Sequence, residues 1–252
     1  ERCHNPGALS SEVLQDLGTV MADFIAWSHS RRNDWLECPR MFYHKNVAPK
    51  GSADRVEFIQ TVAMKAGNVI DDALTPRISK GTPLPPQFAP YEKMAASVIA
   101  APGAKYTQLR VTLDQAFKPC GYFDSTAWCR AIYDVAVING SHAFIGDWKS
   151  GMIWPDDDQL KLFSATAFHQ FPELEVVDTS LIWLKHGLTS DAQYTRNQLP
   201  EMWSELLQDV ERLQVAFRNN HWPAAPKRGK KSCSHCNVNQ QGKCKEAQGP
   251  YG

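Results

Sequence analysis

The chain reads as α/β, or α+β in a stricter scheme, with a central mixed sheet flanked by helices. Three observations predict it. Apolar residues recur at helical spacing before residue 75 and after residue 200. Between them lie runs of β-branched and aromatic residues that are apolar on both faces, as in a sheet interior. Proline- and glycine-rich segments such as Thr82-Pro-Leu-Pro-Pro-Gln87 and Pro119-Cys-Gly121 separate the two kinds of run.

In chain order, Val13, Leu14, Leu17, Val20, Met21, Phe24 and Ile25 predict a helix over Ser11–Trp27. Ser30 is the candidate N-cap of a second helix that runs toward Tyr43 despite Pro39. The stripe Val56, Ile59, Val62, Ala66, Val69, Ile70 and Ala73 predicts a long helix from Asp54 to Leu74, limited by Pro76, with Asp71 near its C-terminal end. A short helix follows around Tyr91–Ala101, and the sheet begins near Gln108. The acidic run Asp156–Asp158 caps the N-terminus of a helix carrying Gln159, Leu162, Phe163 and Phe168. Strands are expected at Val176–Lys185 and Ala192–Gln198, and an amphipathic helix at Met202–Phe217.

The segment from Ile132 to Gly151 carries the chemistry. Asn139-Gly140 is a favoured pair for a two-residue type I′ hairpin turn. In that register Ile138 faces Ser141 and Asp134 faces Ile145. Asp134, Asp147 and Lys149 then share one side of the sheet, with the two aspartates diagonal neighbours roughly 7–8 Å apart at Cα. Charges at the end of strands this apolar cost several kcal/mol, of order, unless paired or metal-bound. A shared divalent metal meets that need; a structural Asp–Lys pair at the sheet end meets it too, and spacing alone leaves both open.

These residues resemble the PD-(D/E)xK nuclease superfamily in its RecB-like branch. Gly67-Asn-Val-Ile-Asp71 matches its Gly-x-x-x-His motif, Asp134 its Gly-x-x-Asp strand, Asp147-Trp-Lys149-Ser-Gly151 its Asp-x-Lys-Thr-Gly strand end, and Gln159-Leu-Lys-Leu-Phe163 its Gln-x-x-x-Tyr helix. Cys38-Pro-Arg40-Met-Phe-Tyr43 is similar to its Cys-Pro-Arg-x-Phe-Tyr signature. The chain departs from the pattern at Asp71 for histidine, Phe163 for tyrosine and Gln108 for glutamate. The resemblance implies a restriction-endonuclease-like core and a metal-dependent deoxyribonuclease, an exonuclease in DNA processing, repair or recombination. Asp71, Asp134 and Asp147 would hold Mg²⁺ or Mn²⁺, and Asp134, Asp147, Lys149 and Gln159 would be catalytic. The departures motivate a second expectation, a weak or inactive nuclease-fold DNA-binding or assembly module. DNA, single-stranded or at duplex ends, is the implied partner, alongside a helicase, recombination or CRISPR partner.

Cys233, Cys236 and Cys244 form a C-x2-C-x7-C cluster, one ligand short of a tetrahedral site. Spacing alone leaves iron, zinc (with His235 or Cys38) and reduced thiols open. The resemblance implies a [4Fe–4S] cluster completed by Cys38, closing the C-terminal tail onto the N-terminal helix, with Zn²⁺ as the alternative. Cys3, Cys120 and Cys129 fit no pattern.

At 252 residues and 43% hydrophobic, the chain can bury a core, most simply as one nuclease domain over 1–252. Within it, 1–53 holds the N-terminal helices, 54–225 the core and 226–252 the basic, cysteine-rich tail. No run reaches the ~18–20 apolar residues of a membrane span. A formal net charge of zero counts against strong nucleic-acid binding, so the cationic candidates are local: Arg31 and Arg40 near the N-terminus, and Lys227, Arg228, Lys230 and Lys231 before the cysteines. Seven cysteines, an odd number without a visible signal peptide, point to a reducing cytoplasm. The chain begins at Glu1 rather than methionine, so a preceding segment and a targeting signal stay open.

Overall fold

The first described stretch after the N-terminus enters a sheet, where a helix end was expected. The computed structural model describes residues 24–60, 62–154 and 156–244, so most of the Ser11–Trp27 helix lies outside the described residues. Trp27–Ser28 forms β1, parallel to β3 (Cys129–Asn139) through Trp27 opposite Cys129 and Ser28 opposite Arg130. Trp27 is fully buried, edge-on to Trp128 and Trp203. A two-residue strand has no pattern of its own; its partner creates it.

Helix α1 (His29–Glu37) starts on Ser28, whose hydroxyl accepts from the Arg31 N–H, so the cap lies two residues before the expected Ser30. Cys38 is extended and ends the helix, as the residue before a proline favours. Pro39 then opens a separate short helix α2 (Pro39–Phe42), followed by a π-turn over Tyr43–Val47. The expected Asp54–Leu74 helix is α3 (Val62–Lys80) instead. Residues 54–57 bond elsewhere: the Val56 N–H donates to His44 O, and Glu57 exchanges hydrogen bonds with the Gln241 side chain. At its far end α3 runs through Pro76, because Ile78 is buried and Arg77 clamps Glu92 of α4 (Glu92–Ala100) with both Nε and Nη2. Tertiary packing here outweighs the proline's missing donor.

The sheet has six strands in the order β1-β3-β4-β5-β6, with β2 (Ala104–Leu113) antiparallel to β3 on its other edge. β4 is His142–Lys149, β5 Val176–Trp183 and β6 Leu188–Thr195, the last displaced toward the N-terminus from the expected Ala192–Gln198. β4 and β5 are parallel and joined by α5 (Asp157–Gln170). α5 is buried almost all round, from Gln159 to Phe168, because the sheet lies on one side and α6 (Leu199–Arg218) on the other. α3 and α4 cover the opposite face through Ile70, Leu74, Ala95 and Val98, packed on Val135 and Val137. Both faces are thus covered by helices, as the apolar strands required.

The hairpin forms, but its register differs from the sequence reading. Asn139 pairs with His142 and Ile138 with Ala143, so the loop is Gly140-Ser141. Gly140 sits at φ +58° and Ser141 is not left-handed, the pattern of a turn with glycine at its first central position. Ile145 therefore faces Ala136, not Asp134. The displacement is two residues, an even number, so it slides the strand without turning the side chains over. Continuing the register one step brings Asp134 level with Asp147.

Candidate functional site

Asp134 stands where β3 loses regular alternation. Tyr133 and Ala136 both belong to the core under α5, whereas Val135 and Val137 face α3. The break is matched on β2, where Gln108 takes φ +51° and drops out of the ladder that resumes at Thr107–Val135 and Leu109–Tyr133. On the other edge, β3 pairs with β4 over Val135–Asn139 and with β1 over Cys129–Arg130, and among the described residues no strand pairs with Ala131–Asp134 on that edge. The strands splay there. The Asp134 carboxylate fills the opening, accepting from the Trp148 N–H at 2.8 Å and from Gln108 Nε2 at 3.0 Å.

Asp147 lies one residue past the last β3–β4 pair, on a strand that stays paired with β5 to Lys149, and is buried. It is held by Gln159 Nε2 at 2.9 Å and by Lys149 Nζ at 2.7 Å, while Lys149 also donates to Gln159 Oε1 at 2.9 Å. The three side chains form a closed triangle. Gln159 reaches it because Asp156 caps α5, accepting from the Gln159 N–H, and so aims the first turn at the end of β4. Sequence placed the cap correctly; Gln159 itself is buried and bonded to both neighbours.

The third carboxylate comes from α3. Asp71 lies beside Ile70 and Leu74, the stripe that packs on the sheet, and its Oδ1 is buried without a hydrogen-bond partner. Burial and the charges of Asp147 and Asp72 push its pKa up to about 6. Burial, then Asp147 and Asp71, push Asp134 upward as well, against its two hydrogen bonds. Asp71, Asp134 and Asp147 are thus electrostatic neighbours on three elements. Asn68, Asp71, Thr75 and Gln108 line an adjoining cavity of about 370 Å³. Among the described residues no three His, Cys, Asp or Glu side chains close into a finished metal shell. The donor set itself suits a hard cation: all oxygen, mutually repelling, with one buried oxygen atom unmatched.

The motif departures have local consequences. Gln108 donates to Asp134, where a glutamate would have added another negative charge. Phe163 is buried against Tyr133 with its centroid 5.1 Å away, a core residue. Sequence reading missed His29, whose Nε2 lies 3.0 Å from Asp156 and joins the start of α1 to the start of α5. Burial works to raise the Asp156 pKa, but His29, the Gln159 N–H and the Lys149 charge together pull it below the ordinary carboxylate value. No motif marks His29, because its partner is 127 residues away.

The cysteines gather away from these acids. Cys38, Cys233, Cys236 and Cys244 line one cavity of about 620 Å³, with Met41, Val238 and His235 on its walls. The cation candidates divide. The Lys227 N–H donates to Glu37 O, and Arg228 lies 3.7 Å from Glu37, at the C-terminal end of α1 and about 12 Å along that helix from His29. Lys231 is exposed in the same tail; Lys230 belongs to it in sequence. Arg40 is half-buried, its N–H bonded to Pro223 O. Arg31 donates to Ala26 O and stands near Arg130 and Arg55. Of the tryptophans, Trp128 is buried, Trp148 packs beside α3, and Trp154 is exposed. No helix among the described residues is long and apolar enough to cross a membrane.

No family model and no curated protein matches the chain. Among solved structures it is similar to one from Eubacterium rectale described as a "Putative exonuclease", with 14% identity, 91% of this chain and 94% of that chain covered, and a TM-score of 0.48. A second, SSO0001, has 12% identity, coverage of 94% and 93%, and a TM-score of 0.43. Likenesses this distant do not bear on chemistry, which the side chains alone supply.

Proposed function

We propose that the chain is a Mg²⁺- or Mn²⁺-dependent deoxyribonuclease of the PD-(D/E)xK type, acting as an exonuclease in DNA processing. The convergence of Asp71, Asp134 and Asp147 from α3, β3 and β4 beside a single lysine carries the reading. Asp134 and Asp147 hold the cation, with Asp71 as third ligand. A divalent ion there supplies Lewis acidity toward a phosphate oxygen and toward water. Lys149 offsets negative charge that builds on the phosphate. Gln159 fixes Lys149 and Asp147 relative to each other. The Trp148 N–H and Gln108 keep Asp134 turned into the splayed region.

In the cysteine cavity we propose a [4Fe–4S] cluster on Cys38, Cys233, Cys236 and Cys244. Thiols supplied from Cys38 and from the cysteine-rich tail, and the apolar wall of Met41 and Val238, support it. His235 on the same wall supports zinc as the alternative. Anaerobic protein with broad visible absorbance and stoichiometric iron and sulfide supports the cluster; colourless protein with stoichiometric zinc refutes it.

The satisfied hydrogen bonds of Asp134 and Asp147 favour one further reading, a binding module on the same scaffold. Cleavage of labelled single-stranded and duplex-end DNA with Mn²⁺ or Mg²⁺ separates the two. Metal-dependent turnover that disappears in Asp147→Ala and Lys149→Ala supports the nuclease. Salt-sensitive binding with intact DNA under every divalent metal supports the module.

A further inference from the structure

Beyond Asp134 the face of the sheet opposite α5 carries charges that the proposed reaction does not use. Cys129, Ala131 and Tyr133 point into the α5-side core, so Arg130 and Ile132 share the opposite face with Asp134. Leu109, Val111 and Leu113 do the same on β2 and leave Arg110 and Thr112 on the opposite face, Arg110 exposed and Thr112 buried. Thr112 lies opposite Arg130, and Arg110 opposite Ile132. Arg130 and Asp134 are four strand steps apart, about 13 Å.

The loop between β2 and β3 folds aromatic rings onto this face. The Arg110 guanidinium lies 5.2 Å from the Tyr122 ring and 5.7 Å from the Phe123 ring, and Arg130 lies 5.3 Å from Tyr122. Phe123 is 80% exposed and Ile132 37%. Arg31 joins from α1: burial first, then the like charges of Arg130 and Arg55, lower its pKa. Arg130 Nε is buried without a hydrogen-bond partner. Among the described residues Arg31, Arg110 and Arg130 have no carboxylate within ion-pair distance. The loop's own acids are engaged in its turns: Asp114 accepts from the Ala116 and Lys118 N–H groups, and Asp124 from Gly121.

Uncompensated arginines call for anions, and an exposed ring backed by a guanidinium is a stacking surface for an unpaired base. We propose that this face is a track for single-stranded DNA leading to Asp134, with Arg31, Arg110 and Arg130 on phosphates and Phe123, braced by Tyr122, under a base. The proposal rests on the nuclease reading for its direction and for the choice of DNA. A duplex is the poorer occupant, since its base faces are already stacked.

The test is fluorescence anisotropy of a labelled oligothymidine strand, alone and annealed to its complement, in EDTA so that no cleavage occurs. Phe123→Ala is expected to weaken single-strand binding roughly ten- to hundredfold and leave duplex binding unchanged. Arg110→Ala and Arg130→Ala are each expected to reduce the salt slope by about 0.7. Phe123 is solvent-facing, so its replacement leaves the melting temperature unchanged. Wild-type protein that cleaves DNA with Mn²⁺ while all three variants bind and cleave as it does overturns the track and leaves the nuclease reading standing. Binding that depends on Phe123 in a protein that never cleaves supports the track and overturns the nuclease reading.

Discussion

Asp147 and Lys149 touch each other, yet the roles proposed for them differ, and kinetics can separate them. Lys149→Ala is expected to retain Mn²⁺ binding and to lose about 10²–10³-fold in kcat, the usual cost of removing one preorganised charge partner. Gln159→Ala removes the donor to Asp147 Oδ1 and is expected to weaken Mn²⁺ affinity about 10–100-fold, as loss of a supporting partner does. Asp71 gives a pH signature. Its folded pKa is raised, to about 6, so its contribution favours the fold at low pH and is lost as pH climbs from the ordinary carboxylate range through about 6. Metal-free wild type is therefore expected to lose stability relative to Asp71→Asn over that interval, measured by thermal melts across pH. Mn²⁺ is expected to cancel the loss. A difference between the two proteins that does not vary with pH would contradict it.

The hairpin and the cap of α5 were legible in the chain because each is set by residues close in sequence. The register was not. Asn139-Gly140 and Gly140-Ser141 are both acceptable turn pairs, and the choice is made by the whole β3–β4 ladder, where Asn139 pairs with His142. The switch of faces around Gln108 and Asp134 was also hidden, since it needs two strands to break alternation together. Gly146 shows how tightly β4 is seated beside that switch. A Cβ there would come 2.9 Å from Val135 Cγ1 and 3.2 Å from Ile182 Cδ1. Gly146→Ala is expected to destabilise by about 1–3 kcal/mol through overpacking, measured by denaturant unfolding. It is also expected to weaken metal binding, because Asp147 is the next residue.

Residues 37–57 and the tail up to Cys244 meet around the cysteines, tied by hydrogen bonds of Lys227, Gln241 and Lys243. The proposed cluster on Cys38 and the tail thiols would add a cross-link across nearly the whole core. Cys38→Ser is expected to bleach the protein and cost about 3 kcal/mol, lowering Tm by roughly 6–12 °C. The tail is expected to become the first site of proteolytic cutting. Helix spacing foretold the layers, but not that residues 54–57 would leave α3 to hold this tail, because Val56 fits a helical stripe and a tertiary pocket equally well. The acids and the cysteines are thus separate centres, joined by α1, with His29 at one end and Cys38 just past the other.

The acidic centre is tested most directly by titrating Mn²⁺ into metal-free protein and following free ion by electron paramagnetic resonance. Wild type is expected to take up the ion with saturable stoichiometry, and Asp134→Asn and Asp147→Asn to lose that uptake while keeping the wild-type circular dichroism. Equal Mn²⁺ uptake by all three proteins would contradict the account.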